Sequence, residues 1–538
     1  MVRTTHARTH VAAVVLLGLV HGAIGAQSVV EFSAQVLVPG DRHPIRGSRY
    51  LSLESPAYDA ITVLRTRGLL SSLDPLARPY TRDEVARAVA AVTPAAIGSL
   101  PAHAARRLAL IRAEVAPELA RLAGSDSVIV GFSSIAGGSA STSHRFDALF
   151  PLRDHGTLAS AADAWPYHAI GGWAEYGRFA AETRLFHDYY LERADPEVRY
   201  VRGIVVLNRT DNAYVTAAFD HGSVFAGRMR RDWAPLGDQS LAVSAVPQTY
   251  PQLGFELGGS RLVLRTFLGE LDTIFTRDRY LLAQQLEYRA RDFAISIGEA
   301  KVHVTRGGPT IASLNPLDLS FFSEKLEPGD VTSNLVVHGQ LWLRRGPFTL
   351  TGQGLLDDVH VNEHAPLRAA ISGGLRLSGD AVDAELDYRA VAAFTYWTLR
   401  DDGRDRVDQW SYYGRGLGDN FSDYDRLTLR ASIHPRPAGL TLTPTIQLQR
   451  KGEGDFRMPS LYFDQFRTQR TIFLGTRETT LRAALAGRYD PAHFAFVEWD
   501  AGVNVVRNAD HQPGRSLSEF AGTMRAGFSW TWPGVRQP

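Results

Sequence analysis

From about Asp126 to Trp532 the chain alternates apolar and polar residues with a period of two. In 424–434, Leu427, Leu429, Ala431 and Ile433 fall on one face, and Arg426, Thr428, Arg430, Ser432 and His434 on the other. The run from Leu440 sets Leu440, Leu442, Ile446 and Leu448 against Thr441, Thr443, Thr445, Gln447 and Gln449. Val382, Ala384, Leu386 and Tyr388 oppose Asp383, Glu385, Asp387 and Arg389; Val497, Trp499, Ala501, Val503 and Val505 oppose Glu498, Asp500 and Asn504. Successive side chains of a strand point to opposite faces, so each run predicts a strand with one apolar and one polar face.

Alternation alone also fits a soluble sandwich or propeller. Three features favour a strand wall in lipid. The runs are about ten to fourteen residues long, against the five or six usual in soluble sheets. Three of the four polar faces above carry charges, as a wide wet lumen requires. Short links such as Arg345-Gly346-Pro347 and His434 to Gly439 alternate with long ones at 306–333, 398–423 and 450–476. Short turns on one side and long loops on the other are the outer-membrane pattern. The expectation is a mainly β chain, a large antiparallel transmembrane β-barrel of about 18 strands over 125–538. A last strand at about 519–532 running toward the periplasm puts every long link outside.

The period is different upstream. Ser55 and Pro56 open the run Ala57 to Leu70, which closes near Gly68. Thr81 and Glu84 have capping-box spacing before Arg82 to Val92. Leu108, Ile111, Val115, Leu119 and Leu122 give 101–122 a helical stripe. About seventy residues of short helix bury only a small core. A periplasmic helical domain over 27–124 is therefore expected, as an appendage to the barrel.

Composition narrows the function. The 538 residues carry a net charge of +1, so no global field recruits nucleic acid. The chain has no cysteine, which excludes disulfides, thiolate metal sites and a lipidated N-terminal cysteine. Arg3 and Arg8, the apolar run Val11 to Val20, and Gly22, Ala23, Gly25 and Ala26 read as a signal peptide over 1–26.

Several motifs suggest chemistry. His360-Val361-Asn362-Glu363-His364 has the H-x-x-E-H spacing of inverted zinc peptidases, but Pro366 leaves no room for the helix that would align the ligands. Gly414-Arg415-Gly416-Leu417-Gly418 has the composition of a phosphate loop without its strand-to-helix context. Asp401, Asp402 and Asp405 do not match calcium-loop spacing. No catalytic residues, cofactor or metal are expected. Two long links combine aromatic rings with arginines. One has Trp410, Tyr412, Tyr413 and Arg415; the other has Lys451, Arg457, Tyr462 and Arg467. Aromatic faces stack on sugar CH groups and guanidinium pairs with carboxylate or phosphate, so these eight residues are glycan-binding candidates. The same composition fits an aromatic girdle with loop-stabilising ion pairs.

Named blocks also resemble a known family. Tyr58-Asp59, Leu64 and Gly68-Leu69-Leu70 precede Arg78-Pro79-Tyr80-Thr81-Arg82-Asp83-Glu84-Val85. Then come Ala226-Gly227-Arg228, Trp233 and Ser240-Leu241-Ala242-Val243-Ser244, with Ala234-Pro235 where Gly-Pro is usual. Arg279 to Gln284, Ile297 to Ala300, Leu314 to Leu317, and Gly352-Gln353 with Leu356-Asp357-Asp358 follow in order. The set resembles the Wzi family of capsule-assembly outer-membrane proteins. The resemblance implies an eighteen-stranded barrel with a periplasmic helical bundle, and a lectin-like, non-enzymatic role in anchoring capsular or other surface polysaccharide. The expected partners are surface polysaccharide, outer-membrane lipid including lipopolysaccharide, and the barrel-assembly machinery. The expected location is the outer membrane of a Gram-negative-type bacterium. A porin or specific solute channel is the alternative.

Overall fold

The computed structural model describes residues 46–124, 128–142, 163–188, 209–274, 276–305, 308, 332–357, 366–397, 407–435, 439–457, 471–492 and 494–536. The expected signal peptide, the H-x-x-E-H motif, Asp401, Asp402, Asp405, Tyr462 and Arg467 lie outside these residues.

Among the described residues five helices come first: α1 (Ala57–Thr66), α2 (Arg82–Ala90), α3 (Pro94–Gly98), α4 (Ala102–Glu114) and α5 (Ala116–Leu122). The capping box before α2 is present. Glu84 N–H donates to the Thr81 hydroxyl at 3.2 Å, and Thr81 N–H donates to the Glu84 carboxylate at 2.7 Å. The stripe over 101–122 is divided at Val115, where φ is −107° and ψ 24°, because Pro117 cannot donate into a continuous helix. Ile61, Leu64, Val85, Val89, Leu108, Ile111 and Val115 form the helical core.

The wall begins with β1 (Val128–Ser141), β2 (Asp163–Tyr176), β3 (Phe179–Asp188), β4 (Arg209–Phe219), β5 (Gly222–Arg228) and β6 (Pro251–Gly258). It continues through β7 (Leu262–Glu270), β8 (Asp278–Arg289), β9 (Phe293–Thr305), β10 (Thr332–Arg345), β11 (Phe348–Asp357), β12 (Ala369–Ser378) and β13 (Val382–Val391). A two-stranded hairpin, β14 (Ser411–Tyr412) and β15 (Arg415–Gly416), sits in the next link. The wall ends with β16 (Tyr424–Ile433), β17 (Leu440–Lys451), β18 (Glu478–Ala492), β19 (Ala495–Arg507) and β20 (Ser516–Arg536). Neighbours in sequence pair antiparallel, and β1 pairs with both β2 and β20, closing an 18-stranded barrel.

The alternating residues fall as the period predicts. Leu386 lies opposite Leu429, both on the outer surface. Ile446, Leu481, Val503, Phe520 and Trp530 extend that exposed apolar belt. An apolar outside and a charged inside are the reverse of a soluble barrel and the arrangement a lipid-embedded one needs. No described helix is long and apolar enough to cross a membrane. The turns at 177–178, 220–221, 346–347 and 379–381 lie at one end of the wall, and the long links at the other.

The helical appendage is docked against the short-turn end of the wall, not held apart from it. Arg121 pairs with Glu175 on β2 at 2.8 Å, Arg107 with Asp383 on β13 at 2.6 Å, and Asp74 with Arg265 on β7 at 2.5 Å. Nor is the lumen uniformly wide and wet. Along β7 to β16 it is filled by links that fold inward, so polar wall residues meet loop groups instead of water.

Candidate functional site

The filling starts where the wall is lowest. β5 and β6 are only seven and eight residues long. Link 229–250 between them turns into the barrel. Trp233 N–H donates to Val243 O at 2.9 Å, and the Trp233 ring packs edge-on against Phe267 at 5.3 Å. At the base, Leu236 N–H donates to Pro75 O at 2.8 Å and its side chain is buried in the helical core. Asp232 pairs with Arg78 at 2.8 Å. The link thus reaches from the wall to the helical domain.

On this inner loop sit the described parts of links 392–423 and 452–477. The Trp410 ring N–H donates to Ala242 O at 3.2 Å, the Tyr396 hydroxyl to Leu241 O at 2.6 Å, and Ser244 N–H to Leu417 O at 2.8 Å. Asp423 ties the two links together, accepting from Gly454 N–H at 2.8 Å and Leu474 N–H at 3.0 Å. Burial pushes its carboxyl up, against the downward pull of those amides and of Lys451. The resulting core joins Trp233, Leu241, Tyr396, Trp410, Tyr412, Phe421, Phe456 and Leu474 to the wall residues Phe267, Leu281, Val302, Val336 and Leu355.

Polar groups within the filling are paired across the lumen. Arg389 on β13 donates to Asp238 at 2.8 Å and to Asp419 at 2.7 Å. Asp419 also accepts from the Tyr424 hydroxyl at 2.6 Å. Gln353 and Ser372 both donate to Asp238, each at 2.6 Å. Burial alone would raise the Asp238 carboxyl; Arg389, Ser372 and the Gln239 amide outweigh it and hold it down at about 2. A buried charge tolerates this setting only because every neighbour donates to it.

The glycine-rich run has a packing role. Tyr413 (φ 46°) and Gly414 (φ 77°) form the positive-φ turn of the β14–β15 hairpin. A Cβ at Gly418 would lie 1.9 Å from Leu241 O, so only glycine lets the upper link press onto the inner one. It has no helix N-terminus to hold a phosphate.

The outer candidates divide by depth. Trp410 and Tyr412 are 0% and 3% exposed, with Tyr412 packed on Tyr250 at 5.5 Å. Their rings form the floor and have no free face for a sugar. Arg415 is buried beside them, whereas Tyr413 and Lys451 are half-buried. Arg457 remains partly open, lying 5.3 Å from the Phe456 ring centre and 5.4 Å from that of Phe421. It pairs with Asp455 at 2.7 Å, and its hydrogen bonding and charge hold that carboxyl low despite burial. Beside them Ala393, Phe394, Trp397, Gly454, Asp455, Phe456 and Leu474 line a narrow crevice with room for about one water. The crevice is too narrow for a sugar ring; what this surface offers a glycan is the rim above it, where the Asp455 carboxylate and the Arg457 guanidinium lie beside the Phe456 ring. Among the described residues, no His, Asp or Glu group with metal spacing lies here.

The sequence reading missed Phe394, Trp397, Phe456 and the inner loop. Residues 229–250 lack period-two alternation, and Trp233, Leu236, Leu241, Val243 and Val246 spaced along them are the only signal of a link that packs rather than one that is fully solvated.

No protein-family model and no curated protein matches the chain. Among solved structures it is similar to Wzi, described as an outer-membrane protein involved in group 1 capsule assembly in Escherichia coli and a carbohydrate-binding β-barrel. That match has 11% identity and a TM-score of 0.58, and covers 89% of this chain and 99% of that one. It also matches Acinetobacter baumannii OccAB4 (8% identity, TM-score 0.43, covering 76% and 99%) and Pseudomonas aeruginosa OpdK (10%, 0.43, 75% and 99%). At these identities the likeness to Wzi is one of fold: an 18-stranded outer-membrane-type barrel with helices ahead of it.

Proposed function

We propose that this chain is a non-enzymatic outer-membrane protein that binds and anchors surface polysaccharide. The barrel sits in the outer membrane of a Gram-negative-type bacterium, its long links outside and the helical domain of about 27–124 in the periplasm. One observation carries the reading. The links that would border a pore are joined to one another and to the wall through Arg389, Asp238 and Asp419, and they carry the Arg457–Asp455 pair beside the Phe456 and Phe421 rings. A barrel that invests its loops in a shaped, cation-rimmed surface is built for holding a ligand. The solved barrel described as carbohydrate-binding shares the fold, which supports the same reading. Arg457, Lys451 and Tyr413 are the described residues that contact the glycan, with Tyr462 and Arg467 from the same link. Lipopolysaccharide surrounds the belt, and the barrel-assembly machinery inserts it.

Binding of purified protein to arrayed acidic polysaccharides tests this. Arg457→Gln lowers the signal if the reading holds. Absence of binding to every surface glycan, with large steady currents in planar bilayers, overturns it. A solute channel is the second reading, favoured by one observation. Along β18 and β19 the inward residues Arg488 and Asp500 stay 28% and 43% exposed, so water reaches that side of the lumen.

A further inference from the structure

Where the helical domain meets the short-turn end of the barrel, three side chains from separate elements converge. His103 is the second residue of α4, Asp383 is the second residue of β13, and His434 follows β16. The imidazoles stack with ring centres 4.8 Å apart. His434 Nε2 lies 3.4 Å and His103 Nε2 3.9 Å from Asp383 Oδ2, and no two of the three ligand atoms are more than 4.8 Å apart. His103 is 7% exposed, and its Nε2 has no hydrogen-bond partner. A buried, unpartnered ring nitrogen aimed at a carboxylate is costly unless something occupies the gap.

We propose that His103, Asp383 and His434 form a binding site for a divalent transition ion of the zinc class, fastening the helical domain to the barrel. Imidazole and carboxylate are the donors this ion takes, with a water completing four-coordination. Tetrahedral N and O ligands at about 2.0–2.1 Å from zinc lie about 3.4 Å apart, so binding closes the widest of these separations by roughly 1.4 Å and turns the stacked rings so that both Nε2 atoms face one point. The surrounding shell is ready. Thr441 Oγ lies 3.4 Å from His434 Nδ1, where it can accept Nδ1–H and leave Nε2 as the ligand. Ser378 donates to Asp383 Oδ1 at 2.7 Å, leaving Oδ2 facing the rings.

One neighbour opposes the ion. Arg107, one turn after His103 on the same helix, donates to Asp383 Oδ2 at 2.6 Å. A guanidinium there weakens a dication, so the site is a moderate one and Arg107→Gln strengthens it. A purely structural role for the trio predicts the reverse, because removing Arg107 would then only loosen the seam.

The test uses the full untagged protein in detergent, with His360 and His364 changed to Ala to remove the H-x-x-E-H loop as a competing site. Equilibrium dialysis against Zn²⁺, and visible absorption on adding Co²⁺, read the site directly. The expected result is one equivalent of Zn²⁺, a tetrahedral Co²⁺ spectrum and a higher unfolding temperature with metal. His103→Gln and His434→Gln each lose the equivalent, and Arg107→Gln tightens it several-fold. No ligand-field bands in the His360→Ala/His364→Ala protein, or an equivalent that survives His103→Gln, overturns the proposal. The dialysis and Co²⁺ spectrum of the parent protein decide the matter even if the histidine variants fail to fold.

Discussion

The Arg389 guanidinium donates to the Asp238 carboxylate at 2.8 Å, joining β13 to a loop that arrives from the opposite part of the chain. Arg389 is buried and Asp238 nearly so, and losing the arginine leaves Asp238 and Asp419 without the cation they share. Breaking such a pair costs about 3–5 kcal/mol. Arg389→Leu is expected to release the inner loop and raise single-channel current above that of the unaltered protein. An unchanged current with a fully folded barrel would show that the pair does not hold the filling in place.

The same pair predicts a response to acid. The Asp238 carboxyl is held at about 2, below the ordinary 3.8. A depressed carboxyl contributes stability above the unfolded value and loses it as pH falls through the folded one. That contribution, roughly 2 kcal/mol from the shift, is therefore intact at pH 5 and lost between about 4 and 2. Protease nicking within 229–250, followed against pH, should rise in that window. Asp238→Asn should remove the pH dependence.

Trp410 and Arg457 belong to adjacent links but should behave differently. Trp410 is fully buried, so Trp410→Ala costs about 3–5 kcal/mol and lowers the urea midpoint. Arg457 is partly open and pairs with its near neighbour Asp455, so Arg457→Gln should leave the midpoint within experimental scatter. Glycan retention should fall about tenfold in the arginine variant, the cost of one charge-assisted contact. Equal effects of the two on the midpoint would refute the division into floor and rim.

On the outer belt, Leu429 is 50% exposed opposite Leu386. Leu429→Arg places a charge in hydrocarbon at about 2–4 kcal/mol. Thr428→Arg, one residue away and facing inward, should cost the wall less lipid penalty and act through crowding alone. Refolding yield into lipid vesicles separates the two. Similar yields would mean that the apolar face is not the lipid face.

The barrel was legible because its rule is local. A side chain on 427, 429 or 433 goes outward whatever the rest of the chain does, and eighteen strands followed from counting such runs. The helical segments were legible for the same reason, down to the Thr81–Glu84 box. What escaped was non-local. Nothing in the residues around Asp238 says that Arg389, about 150 positions later, will meet it. Trp410 and Tyr412 read as surface aromatics because their loop is long and polar; link 229–250, lying beneath them, supplies the carbonyl and rings that bury them. Period reports which face a residue takes. It does not report what folds over that face.

Leu236 is counted in the helical core although it comes from the middle of the barrel sequence. Removing residues 46–124 would therefore strip a barrel loop of its seat, and an isolated helical segment would carry a leucine-sized hole. Neither piece is a transplantable module. A chimera that exchanges the helices with those of another barrel must carry the stretch around Leu236 along with them.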